Sequence, residues 1–321
     1  MSLKLNGSCL CGSITYDIEH PEGTKNVDVY HCFCDSCCMS TGAFFQTFAK
    51  APRLQIHDPQ SLLAEYSSRT GVIREFCKKC STPLTYNKIE DGQKKTEICS
   101  ATLLKDDIVQ HTKLYIGPDE MTKLGVEEAL PDSLEGGCFC GHVQYSITNP
   151  TDKVESQLGE SLKAGGWPDD SGKRDKNGRF RWTITICHCD QCRLWSSSPA
   201  TPFLQIPNTL FNLRVGGQPV KVECLKEIPG LLTYRSSPQG MRVACPKCYT
   251  SLLFNDDPNN VDIACGTIKN LPGANIVPER HIWLEEESGG PVWRIMGKGL
   301  DDGLKCFKRG RQSEEVFIKL D

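Results

Sequence analysis

Two seven-cysteine constellations, written in the same order, constrain this chain more than any other feature. The first runs Cys9-x-Cys11, Cys32-x-Cys34-x-x-Cys37, Cys77-x-x-Cys80; the second runs Cys138-x-Cys140, Cys187-x-Cys189-x-x-Cys192, Cys245-x-x-Cys248. The flanking text agrees as well: "GSCLCGSITY" against "GGCFCGHVQY", and "EICSATL" against "DIACGTI". Self-similarity of this kind reads as a duplication. It assigns residues 1–116 to a first domain and 136–321 to a second. Residues 117–135, with Gly117-Pro118, Gly125 and Pro131, form the expected linker. The second copy is longer, mainly through a stretch near 149–181 that reads as a solvated loop.

Each copy is expected to be all-β. In "SITYDIE" Ile14, Tyr16 and Ile18 share one face while Ser13, Thr15 and Asp17 share the other, and "HVQYSIT" repeats the alternation. "VDVYHC", "GAFFQTFA", "TITICHC", "ATPFLQI", "KVECLKEI", "SLLF" and "HIWL" are further strand candidates, short and rich in β-branched or aromatic residues. No helical stripe exceeds two turns.

The cysteines then sort by count. The chain has 321 residues and 19 cysteines, an odd number, and its first residues lack the apolar core of an export signal. A cytoplasmic location is expected, and clustered thiols in a reducing compartment more often hold metal than disulfides. The net charge of -3 and the scattered lysines make nucleic acid an unlikely partner, and no apolar run is long enough to span a bilayer. Oligomeric state is not legible.

A CxC and a CxxC supply four thiolates, a common structural zinc set. Cys9, Cys11, Cys77 and Cys80 form one such quartet, and Cys138, Cys140, Cys245 and Cys248 its twin. The CxCxxC clusters supply three ligands each: Cys32, Cys34 and Cys37, then Cys187, Cys189 and Cys192. Three ligands leave a position open, as in catalytic zinc, or a fourth comes from Cys38, Cys99, Cys265 or a histidine. Three thiolates on a divalent ion carry a net -1 charge, which suits binding a further soft ligand better than polarising water. A substrate thiol entering there would be held as thiolate, so the trios are the candidate catalytic residues. The expected complement is zinc, two ions per domain and about four per chain.

"GSCLCGSITY", "HCFCDSCCMSTGAFF", "FCKKCSTPL" and "ICSATL" resemble the glutathione-dependent formaldehyde-activating enzyme family, which includes centromere protein V. "GGCFCGHVQY", "CHCDQCR", "ACPKC", "CGTI" and "HIWLEE" resemble it a second time. The resemblance implies a β-tent fold in each half, a structural four-cysteine zinc and a second zinc on each CxCxxC. It also implies carbon–sulfur lyase chemistry on a thiol-containing small molecule such as glutathione, or on a specialised sulfur-containing metabolite. The alternative is a non-catalytic, zinc-stabilised binding module. The family's arginine after the third trio cysteine is kept as Arg193, a catalytic candidate able to pair with a substrate carboxylate. Asp35, His31, His111 and His281 are further proton or anion partners to consider, whereas His31 and His188, beside the trios, read as packing residues rather than ligands. The copies also depart from the pattern. Cys38 replaces the arginine in the first, Ser197-Ser198-Pro199 replaces a Gly-Ala turn in the second, and Ser81 and Tyr249 stand where glycine is usual.

Overall fold

A computed structural model describes residues 2–104, 112–115, 133–148, 182–269, 276–282 and 305–306. His111, most of the expected linker and the insert near 149–181 lie outside these residues, and His281 enters only as a strand position.

Alternation builds the first half. Strands Ser2–Ser8 (β1), Thr15–Glu22 (β2), Val27–Cys32 (β3), Gln46–Lys50 (β4), Leu54–His57 (β5), Leu63–Arg69 (β6), Val72–Cys77 (β7), Pro83–Glu90 (β8), Gln93–Cys99 (β9) and Thr112–Tyr115 (β10) form two sheets, ordered β1-β2-β5 and β10-β3-β4-β9-β8-β7-β6. The core between them holds Leu5, Ile14, Tyr16 and Ile18 from one side and Val27, Val29, Ala49, Leu84 and Ile98 from the other.

The second half repeats this plan with Ser133–Gly137 (β11), Val143–Thr148 (β12), Trp182–Cys187 (β13), Thr201–Pro207 (β14), Phe211–Val215 (β15), Gln218–Val220 (β16), Leu232–Ser237 (β17), Gly240–Ala244 (β18), Ser251–Asn255 (β19), Asn260–Ala264 (β20), Ile276–Ile282 (β21) and Lys305–Cys306 (β22). Its sheets run β11-β12-β15-β16 and β17-β18-β19-β20-β14-β13-β21-β22, the same strand order with one strand added to each. Both halves carry a parallel pair at the same place, β10 with β3 and β21 with β13, and in the second the added β22 also runs parallel to β21; the other ladders are antiparallel. The chain is thus all-β in two similar halves. β11 begins inside the stretch expected to be linker. "KVECLKEI" is not a strand. β16 ends at Val220, Leu225 takes a left-handed φ of 54°, and Val222 and Ile228 are buried in the second-half core without strand pairing.

The repeated glycine-to-tyrosine phrase has a steric cause. A Cβ at Gly7 would stand 2.1 Å from the Tyr16 ring, and one at Gly136 would stand 2.2 Å from Tyr145. The bare backbone lets each tyrosine cross β1 or β11. Tyr16 then meets Thr102 Oγ1 and Tyr145 meets Thr267 Oγ1, each at 2.6 Å.

The halves pack intimately on each other. Phe76 stacks on Tyr249 with centroids 5.4 Å apart, and Trp195 donates from Nε1 to Ser81 Oγ at 3.0 Å. Ser197 donates to the Pro83 carbonyl, and the Gly266 amide donates to the Gly42 carbonyl at 2.9 Å. Tyr66 of the first half lies edge-on to Phe139 beside the second quartet; Tyr234 of the second half packs on the first-half core, whose members include Cys9, Cys77 and Cys80. Burial first, then the quartet thiols of the opposite half, raise the pKa of each tyrosine.

Candidate metal centres

Each quartet joins two turns that are far apart in sequence. Cys9 and Cys11 flank the tight turn that closes when the Cys9 amide donates to the Ile14 carbonyl; Cys77 and Cys80 lie in the turn between β7 and β8. A threonine ties the turns together: Thr82 Oγ1 accepts from the Leu10 amide at 3.0 Å and lies 3.2 Å from Cys80 Sγ. Thr250 does the same for Phe139 and Cys248. Backbone amides aim at sulfur, Ile14 to Cys9 Sγ at 3.3 Å and Val143 to Cys138 Sγ at 3.2 Å, which stabilises thiolate over thiol.

The sulfur spacing fits zinc. Four sulfurs at about 2.3 Å from one ion stand about 3.8 Å apart in a tetrahedron. Cys9 and Cys11 are 3.4 Å apart and Cys11 and Cys77 3.7 Å; Cys138 and Cys140 are 3.5 Å apart and Cys140 and Cys245 3.7 Å. The described cysteines are free thiols, and each quartet brings four of them together with three buried, a convergence of ionisable groups that a bound cation would reconcile.

The trios sit at the end of β3 or β13 and in the short helix that follows. Asp35–Thr41 is α1 and Asp190–Ser196 is α2. Cys34 and Cys189 occupy the N-cap positions, and Cys189 Sγ accepts from the Cys192 amide at 3.3 Å. Cys32 and Cys34 are 3.3 Å apart, and Cys187 and Cys189 are 3.5 Å apart. All three sulfurs of each trio lie within 4.8 Å of one another, and among the described residues no fourth cysteine, histidine or carboxylate joins them. Cys38 instead donates to the carbonyls of Phe33 and Phe44, with burial pushing its thiol up to about 12; Gln46 donates to Cys99, and Cys265 lies against the Ile263 carbonyl.

The trios differ in access. Cys34 is exposed and Cys32 half-buried, with Cys37 buried beneath them. Cys187 and Cys192 are buried, and Cys189 is partly covered. Leu10, from between the ligands of the first quartet, packs on the second trio together with Trp195 and Phe203. A hydrogen bond from Cys37 draws Cys32 below the ordinary thiol range, and hydrogen bonds from Cys187 and Cys189 do the same for Cys192.

Behind each trio stands an arginine that sequence reading passes over. Arg74 and Arg242 occupy the same place, three residues before the CxxC, in "VIREFC" and "MRVAC", where a single arginine carries no spacing signal of its own. Both are almost wholly buried, at 4% and 2% exposure, against the few per cent expected of core hydrophobes. Arg74 donates to Cys37 Sγ and Ser36 Oγ, each at 3.3 Å, and to Gln46 Oε1 at 3.1 Å. Arg242 reaches Cys192 Sγ at 3.6 and 3.7 Å.

Arg193 is buried and donates to Asp190, to the Ala101 carbonyl and, at 3.0 Å, to the Leu103 carbonyl of the other half. Its guanidinium therefore spans the contact between halves. His31 packs among Phe33 and Phe45, its ring 5.0 Å from that of Phe45, and His188 is buried. Asp35 is exposed in the first turn of α1.

Residues 4–117 and 177–286 match the family model described as glutathione-dependent formaldehyde-activating enzyme. The second segment begins beyond Cys138 and Cys140. No curated protein matches the chain. A crystal structure of a Rhodobacter sphaeroides protein is similar over 34% of this chain and 99% of its own, at 20% identity and a TM-score of 0.25. No helix among the described residues is long and apolar enough to cross a membrane.

Proposed function

Because the chain belongs to the glutathione-dependent formaldehyde-activating enzyme family, we propose that it is a zinc-dependent carbon–sulfur lyase-type enzyme acting on a thiol or glutathione adduct. Cys32, Cys34 and Cys37 are its reacting centre. Cys187, Cys189 and Cys192 are the closed counterpart, and the quartets are structural, giving about four ions per chain. The contrast in access carries this reading: one trio offers an exposed sulfur edge, and the other is packed under Leu10 and Trp195.

Zinc at the first trio would supply the Lewis acidity that holds an incoming sulfur as thiolate. The chain's residues supply the rest. Cys34 marks the side from which solvent and substrate enter. Phe48 and Tyr86, with rings 5.3 Å apart, give the trio a dry flank, and Arg74 lies over the Tyr86 ring at 4.9 Å. Cleavage of a hydroxymethyl thioether would send the C–S electron pair to sulfur while the O–H pair forms the carbonyl of formaldehyde and the proton passes to water. Arg193 supports the arrangement from the boundary between halves rather than by touching substrate.

The test compares Cys34→Ser with Cys189→Ser in the reaction of formaldehyde with glutathione, measured above the protein-free rate. Cys34→Ser is expected to abolish the catalysed rate while the quartets keep their zinc, and Cys189→Ser to leave most of it. The reverse result moves the reaction to the second half. A wild-type rate no greater than the protein-free control replaces the enzyme with a zinc-stabilised binding module.

A further inference from the structure

Charge has to close at each trio. Three thiolates around a divalent ion leave -1, and burial makes an unmatched charge costly. Arg74 and Arg242 are the reverse case, buried cations in need of an anion. Among the described residues neither makes an ion pair with a carboxylate. Their charged neighbours are the trios: Arg74 lies 3.3 Å from Cys37 Sγ, and Arg242 lies 3.6 Å from Cys192 Sγ. Both Nε atoms are buried without a partner, and the other acceptors of the Arg74 fork, Gln46 Oε1 and Ser36 Oγ, are neutral and leave its charge unmatched. The two sides account for each other. The same pairing in both halves, on the same strand position, makes an accident of one surface implausible.

The settings differ in a way that matters. Arg242 is packed between the rings of Trp195 and Phe254, each 5.1 Å away, which hold a cation without anchoring it by hydrogen bonds. Arg74 is anchored at both ends of its fork by Gln46 and Ser36, and Ser36 sits on the helix that carries Cys37. Its charge is therefore fixed beside the accessible trio.

We infer that Arg74 and Arg242 are built-in counter-cations of the two trios, and that Arg74 biases the first trio toward an anionic fourth ligand. A thiolate joining the trio would take the centre from -1 to -2, and the fixed guanidinium returns it to -1. A neutral ligand gains no such help. Arg74 is then a positioning residue that acts through Cys37. This rests on the trio holding a divalent ion, and not on turnover.

The test reads binding, not activity. The full chain keeps zinc in its quartets and carries Cys189→Ser so that only the first trio reports. Cobalt is titrated into that trio, and its visible bands then follow titration with 2-mercaptoethanol and, separately, imidazole. Arg74→Met is expected to weaken cobalt binding by about 10- to 100-fold. It is also expected to lower the preference for thiol over imidazole by about tenfold, with Arg74→Lys recovering most of that preference. Equal loss of thiol and imidazole binding, or cobalt affinity unchanged from the arginine protein, overturns the inference. Should Arg74→Met lose its quartet zinc, Arg74→Gln, equally neutral but able to meet Ser36 and Gln46, takes its place with the same expected ratio. Failure of the lyase reading would leave these spectra unchanged.

Discussion

The two halves share a fold and a sulfur pattern, yet they differ most where they touch. In the second half, Arg193 crosses to the Ala101 and Leu103 carbonyls. In the first, its place is taken by Cys38, and the chains meet backbone to backbone. The Gly266 amide donates to Gly42, and a Cβ on Gly266 would stand 2.2 Å from the Ala43 carbonyl oxygen and 2.6 Å from that of Cys38. Size is exchanged as well. Trp195 in α2 meets Ser81, whereas the equivalent of Trp195 in α1 is Ser40 and the equivalent of Ser81 is Tyr249, which stacks on Phe76. Cys38, Ser81, Ser197 and Tyr249, the departures from the family pattern, thus fall at this contact and not on the sulfur ligands. The halves diverged as a fitted pair.

Three experiments would break or sharpen that view. The largest effect is expected at the quartets, where the halves should behave alike. Cys80→Ser and Cys248→Ser should each release one ion and lower the thermal midpoint by on the order of 10 °C or more, because structural zinc contributes directly to folding. Metal analysis and calorimetry check this, and a change in only one half would show that one quartet is dispensable.

At the contact, equivalent positions should behave differently. Gly266→Ala drives a methyl into backbone and should cost roughly 1–3 kcal/mol, whereas Ala101→Gly should cost less than about 1 kcal/mol. Arg193→Ala strips two carbonyls of a charged donor and should cost about 3 kcal/mol, against about 1 kcal/mol or less for Cys38→Ala. Urea unfolding of the full chain measures all four. Equal costs at paired positions would mean the contact is symmetric after all.

The smallest effect is confined to the first half. Glu75 is buried where the second half has Val243. Burial raises its pKa, but hydrogen bonds from Thr85 and Lys94 outweigh this and leave it below the ordinary carboxylate value; Lys94 Nζ is 2.9 Å away. A lowered folded-state pKa stabilises above the unfolded value and is lost as pH falls through the folded one. Mild acid should therefore reduce stability in a part that Glu75→Gln abolishes. Urea midpoints between neutral pH and pH 4 report it, and an unchanged pH slope in Glu75→Gln would remove Glu75 from the account.

Much of this was legible in residues alone. The quartets and trios are covalent spacing read twice, and "VDVYHC", marked by its β-branched and aromatic residues, coincides with β3. What escaped was determined by contacts across the chain. Arg74 and Arg242 are made interior by residues far away in sequence, α1 with Gln46 and Tyr86 over the first and α2 with Phe254 over the second. "KVECLKEI" has strand composition, but Leu225 turns the chain, and Val222 and Ile228 reach the core without a strand partner. Ser81 and Tyr249 looked like losses of glycine because their partners, Trp195 and Phe76, lie in the opposite half. They keep the glycine's left-handed backbone, with φ of 60° and 58°.

Tyr66 and Tyr234 carry a kinetic implication. Each flanks the quartet of the opposite half, but the cover is uneven: Cys140 is exposed, whereas Cys9, Cys77 and Cys80 are buried and Cys11 is half-buried. A chelator or oxidant should therefore reach sulfur first in the second quartet, and without the halves parting.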